Sequence, residues 1–140
     1  MMLKNTYILL VSLLLAATSM AQPVCTRQAY EAYQNKDFEK AAELIDDCIA
    51  TDEGANDAQT WHIRGFIYKD IYKEVDKLDY NSEARDEAVG SFARSLELDE
   101  AGEFKDANVQ SIKYLATMIY NDCVNTLNVN THEKSEELYK

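Results

Sequence analysis

The chain has 140 residues and a mass of 16.0 kDa, the length of one small domain. Its 25 Asp and Glu against 14 Lys and Arg leave a formal charge of −11, which repels phosphate and argues against nucleic acid as a partner. Hydrophobic residues make up 46%, enough for a core, but 4 Gly and 1 Pro are too few turn residues for an all-β fold, so an all-α fold leads.

In chain order, residues 1–21 read MMLKNTYILLVSLLLAATSMA. Lys4 supplies a positive n-region, Tyr7 to Ala17 a short apolar run, and Ser19-Met20-Ala21 the small residues that a signal peptidase reads. A signal peptide cleaved after Ala21 is expected, and with it an exported protein, periplasmic or extracellular, with no membrane span after cleavage. The alternative, a membrane anchor, needs a longer apolar run. Cys25 follows Gln22-Pro23-Val24, which is not a lipobox. Export places Cys25, Cys48 and Cys123 where disulfides persist, and three being odd, at least one stays free or pairs between chains.

Beyond residue 21 the apolar spacing is helical. Ala29, Tyr30 and Tyr33 form a first stripe, and Phe38, Ala41, Ala42, Ile45, Cys48 and Ile49 a second. Trp61, Gly65, Tyr68, Ile71, Tyr72, Val75 and Leu78 form a longer third. Ala84, Ala88, Phe92, Ser95 and Leu96 make a fourth; Ile112, Leu115, Ile119, Cys123 and Leu127 make a fifth. Asp37 is placed to cap the second helix, and Asn81-Ser82 to start the fourth. Gly54 and Gly102 read as left-handed C-caps, and Asn56 with Gln59 and Asn130 with Glu133 as capping boxes. The second box predicts a break near residue 130, with His132 in a polar loop.

Ala41, Ala88 and Ser135 are spaced 47 apart, with Ile45, Phe92 and Tyr139 four residues after each. Trp61, Gly65 and Tyr68, followed by Ala88, Phe92 and Ser95, give the order and spacing that resemble the tetratricopeptide repeat (TPR). Arg64 departs from that pattern, standing where the family carries Leu, and about eleven extra residues separate Tyr68 from Ala88 relative to the family period of about 34. The resemblance implies stacked antiparallel helix hairpins, a short right-handed α-solenoid, with units about 22–54, 56–101 and 104–140. An unrelated helical bundle shares the same periodicity and remains open. Gly65 and Ala88 are then the close-approach points, and replacing Trp61, read as buried, is expected to cost roughly 3–5 kcal/mol. The resemblance also brings Cys25 opposite Cys48, so a disulfide between them is open alongside free thiols. Cys123 falls at a small-residue packing position and reads as a buried free thiol.

No nucleophile elbow, P-loop or dinucleotide fingerprint occurs, and neither His62 nor His132 has a partner at metal-ligand spacing. The chain is therefore read as a non-enzyme without cofactor or metal. The resemblance implies a concave face that takes a protein or peptide partner. Its candidate residues are Tyr30, Tyr33, His62, Phe66, Lys69 and Tyr120, with Thr26, Gln59, Asp70, Thr117 and Val124 at flanking positions; alternatively Tyr30 and Phe66 merely pack against neighbouring helices. The carboxylate clamp of co-chaperone repeats is not expected, because Thr26, Tyr30, Ile63, Thr117 and Asn121 stand where cations would be needed. The third unit stops short of a capping helix, so residue 140 reads as the edge of a longer repeat protein, or as an open end covered by self-association. A structural or assembly role in the cell envelope is the second reading.

Overall fold

The computed structural model describes the backbone of residues 22–138 and the side chains of residues 22–128. The signal peptide expected over residues 1–21, Tyr139 and the side chain of Ser135 lie outside those limits. The described residues are helical, with no strand: α1 (Val24–Gln34), α2 (Phe38–Ile49), a single turn α3 (Asp52–Ala55), α4 (Ala58–Asp70), α5 (Glu83–Leu98) and α6 (Lys105–Leu138). A π-helical turn, Ile71–Val75, extends α4.

Side-chain pairings fix the directions. Cys25 at the start of α1 is joined to Cys48 at the end of α2, with Cα atoms 5.5 Å apart, so α1 and α2 form an antiparallel hairpin. Ala58 meets Ser95, and Gly65 meets Phe92, so α4 and α5 form a second. Thr26 bonds to Thr60 at 2.6 Å and Tyr33 to Asp70 at 2.7 Å, so α1 and α4 run parallel. α6 packs antiparallel on α5, through Ser95–Asn108 and Arg85–Asp122.

Two core clusters follow. Ala29, Ala41, Ile45, Ile63 and Ile67 join α1, α2 and α4. Tyr72, Ala84, Ala88, Phe92 and Leu115 join α4, α5 and α6, and Tyr68 and Ile71 pack against both. Arg64, where Leu would stand in the resembled pattern, is a buried hub between the clusters. Its Nε donates to Asp46 Oδ1 at 2.8 Å, one Nη to Ser91 Oγ at 2.7 Å, and the other pairs with Glu87 at 2.8 Å. Burial opposes the guanidinium's charge, but the Asp46 and Glu87 carboxylates outweigh it and raise its pKa.

Several boundaries differ from the sequence expectation. Asp37 caps α2 through the Lys40 amide, but α4 is capped by Asp57, which accepts from the Thr60 amide, and not by Asn56. Gly54 is no left-handed cap: it is buried in α3, where a Cβ would collide with the Cys48 carbonyl. Gly102 does adopt a left-handed φ of 72°, but in the turn after Asp99, beyond the helix end. Asp99 in that turn accepts from the Glu103 and Phe104 amides and so launches α6.

Trp61 is half-buried rather than buried. Its indole N–H donates to the Ala55 carbonyl at 2.9 Å and its ring lies beside Arg64, so it covers the α3 turn instead of filling the core. No break occurs near residue 130: the backbone stays helical through Asn130 and His132 to Leu138, because no Gly or Pro interrupts it. The third unit is therefore one long helix and not a hairpin. Among the described side chains of α6, Leu115 is the last that is buried. Past it α6 still meets the start of α5 through Arg85 and Asp122, but Ile119, Tyr120 and Leu127 are exposed and Cys123 is an exposed free thiol, against the expectation of burial.

Candidate functional site

The parallel run of α1 and α4, closed at one end by the approach to α6, leaves a cleft of about 510 Å³. Tyr30, Tyr33 and Gln34 line it from α1; Gln59, His62, Ile63 and Phe66 from α4; Gln22 and Phe104 complete it. Steps of three and four bring Gln59, His62 and Phe66 onto one face of α4. The rings form two sets, one on α1 and one around His62. Tyr30 and Tyr33 centroids are 6.2 Å apart, His62 and Phe66 5.0 Å, and His62 and Phe104 4.6 Å. Phe66 stands edge-on to the buried Phe92 at 5.2 Å, which anchors the cleft wall to the core. Tyr33 donates its hydroxyl to Asp70, and burial together with that carboxylate raises the phenol's pKa.

A buried relay holds His62. Ser95 Oγ donates to the Ala58 carbonyl at 2.8 Å and so spends its single proton. It therefore accepts from Asn108 Nδ2 at 2.9 Å, which turns the Asn108 oxygen toward His62 Nδ1 at 2.7 Å. An amide oxygen only accepts, so Nδ1 carries the proton. In the neutral ring Nε2 is then an acceptor, and among the described residues no hydrogen bond engages it. Burial is the largest influence on the imidazole and lowers its pKa, offset in part by Asn108, Asp99 and Glu103.

Tyr30, Tyr33, His62 and Phe66 are thus brought together. Lys69 and Tyr120 are not part of this cleft. Lys69 sits with Ala107, Gln110, Ser111 and Tyr114 around a neighbouring depression of about 280 Å³, on the other side of Phe66, with its Nζ 4.1 Å from that ring's centroid. Tyr120 is 67% exposed, on the stretch of α6 beyond the core. Thr26 is fully buried: Thr60 donates to Asp57, so Thr26 donates to Thr60, in an inter-helix bond rather than at a groove position.

Phe104 and Asn108 were not legible as site residues. Phe104 stands alone in a turn, outside any apolar stripe, and an isolated Asn in a helix carries no signal of burial. Comparison of the chain with models of known protein families, with curated proteins and with solved structures returns no match. No described helix is long and apolar enough to cross a membrane.

Proposed function

We propose that the chain is an exported scaffold of the tetratricopeptide type, without catalysis, that binds an extended segment of a protein partner in the cleft between α1, α4 and the start of α6. The observation that carries this reading is the convergence of Tyr30, Tyr33, His62 and Phe66 around one concavity of about 510 Å³. Aromatic anchors with a few polar groups suit protein recognition, and the volume gives room for more than one side chain of an extended segment. The repeat reading draws support from the Thr26–Thr60 bond: the partners are 34 residues apart, on parallel first helices of successive hairpins. The second reading, an assembly component that self-associates, is favoured by the exposed Ile119, Tyr120 and Leu127 on α6.

The test is capture from an envelope extract with immobilised protein and with a Tyr30→Ala/Phe104→Ala variant of unchanged helicity. A stoichiometric protein partner retained by the first and lost by the second is the expected result. Equal retention by both moves the binding surface away from the cleft.

A further inference from the structure

The cleft has a charge character that its aromatic lining alone does not disclose. Among the described residues, no lysine or arginine lines it. Its polar groups include the side-chain amides of Gln22, Gln34 and Gln59, each of which can accept as well as donate, and the acceptor Nε2 of His62. Burial disfavours charge on the His62 ring itself; the Asp99 and Glu103 carboxylates, at the approach to α6, offset this in part and favour positive charge there, and Lys69 opposes them from behind Phe66. Ring faces, lone-pair acceptors and nearby carboxylates together make a seat for a cation, which the ring quadrupole attracts. The fold uses this chemistry within itself. Arg64 lies 4.5 Å from the Tyr68 ring centroid, and Lys36 Nζ lies 5.6 Å from that of Phe38.

We propose that the His62 cleft seats an arginine side chain presented by a basic segment of the partner protein. This rests on the reading of the cleft as the protein-binding face and names the chemistry of what enters it. Arginine fits because its planar, weakly hydrated guanidinium stacks on aromatic faces while its edge donates N–H groups, here to His62 Nε2 and the Gln59 carbonyl. The net charge of −11 steers a basic partner toward the chain before contact.

The experiment titrates the protein, followed by nuclear magnetic resonance at the His62 ring and the Phe104 amide. The probes are the blocked peptide acetyl-Ala-Ala-Arg-Ala-Ala-amide and its citrulline counterpart, which is neutral and nearly isosteric. The arginine peptide is expected to shift both resonances saturably and to bind at least about tenfold tighter than the citrulline peptide. Tyr30→Leu, which keeps apolar area and removes a ring, is expected to weaken the arginine peptide about fivefold. Equal binding of the two peptides at the cleft overturns the cation seat and leaves the peptide groove standing. Shifts confined to the acidic faces of α2 and α5, or none at His62, overturn the proposal, and the capture experiment then decides the broader reading by itself.

Discussion

Asp46 divides its carboxylate between two residues of α4: Oδ1 accepts from Arg64 Nε and Oδ2 from the Tyr68 hydroxyl. Arg64 passes the link on to Glu87 and Ser91, so one network ties α2, α4 and α5 across the gap between the two core clusters. The Arg64 side chain is 8% exposed, but Asp46 and Glu87 are 42% and 49% exposed, so the network is buried at its centre and wet at its ends.

That asymmetry sets the expected effect of breaking it. Asp46→Ala strands Arg64 Nε and the Tyr68 hydroxyl but leaves the guanidinium with Glu87. Its cost is expected at about 1–2 kcal/mol, below the range for a fully buried pair. Arg64→Met fills the same space, and the two carboxylates turn to water, so it is expected to cost less than Asp46→Ala. Urea unfolding at neutral pH measures both. The reverse order would mean that the charge itself holds the helices together.

The same carboxylate governs behaviour in alkali. Burial and the Asp46 bond push the Tyr68 phenol up to about 12 from its ordinary 10.0. Above pH 10 the unfolded chain loses this proton first, so stability falls as pH rises from about 10 toward 12. Phenolate absorbance checks it: in Asp46→Ala, Tyr68 is expected to ionise at lower pH than in the wild type.

Two glycines are expected to respond oppositely to alanine. A Cβ on Gly65 would come within 2.5 Å of the Phe92 ring, which is fully buried and has nowhere to move. Gly65→Ala is expected to destabilise by about 1–3 kcal/mol in spite of alanine's better helix propensity. A Cβ on Gly90, exposed on α5, meets nothing within 4 Å, so Gly90→Ala is expected to stabilise by up to about 1 kcal/mol. Thermal unfolding of the pair reads both signs.

The thiols separate as cleanly. The Cys25–Cys48 bridge closes the α1–α2 hairpin, and replacing both residues by serine is expected to lower stability by about 3 kcal/mol. Cys123 is expected to react with an alkylating reagent in the folded protein at the rate of an open thiol, as its exposure on α6 dictates. Mass spectrometry after brief native labelling should find one adduct, on Cys123.

The stripes through Ile45, Ala88 and Phe92 were legible because α2 and α5 each have a neighbour on both sides, so apolar spacing and burial coincide; on α4 the third stripe took in Trp61 and Tyr68, which are half-buried, and missed Ile63 and Ile67 in the core. The fifth stripe misled from Ile119 onward. Spacing reports which side chains share a face, not whether another helix covers that face: α5 reaches Asp122 through Arg85, yet Ile119, Cys123 and Leu127 stay exposed. The candidate residues on α6 lie away from the cleft for a related reason. Thr117, Tyr120 and Val124 follow from a third hairpin that would turn near residue 130. The chain instead meets α4 at the start of α6, through Phe104 in the preceding turn and Asn108 and Ser111 in the helix. Arg64 was legible only as a departure from the family pattern, because its partners come from helices 18 and 27 residues away in sequence.

His62 joins the cleft to the stability of the fold, and acid is the way to read the connection. Its pKa lies below the ordinary 6.5 because burial disfavours the imidazolium; Asn108, Asp99 and Glu103 offset this in part, and Lys69 adds to it. Below pH 6.5 the unfolded chain therefore takes up a proton that the folded chain still refuses. Stability is full above that value and falls as pH drops toward the folded pKa, where the loss levels off. His62→Gln keeps a donor for the Asn108 oxygen and cannot titrate. Carboxylates protonate in both proteins over the same interval, so the difference between them isolates the imidazole. Between about pH 7 and pH 5.5 the wild type is expected to lose more stability in urea than His62→Gln. Parallel loss in the two proteins would mean that His62 is protonated as readily in the folded chain as in the unfolded one, and that Nε2 is not the free acceptor the relay makes it.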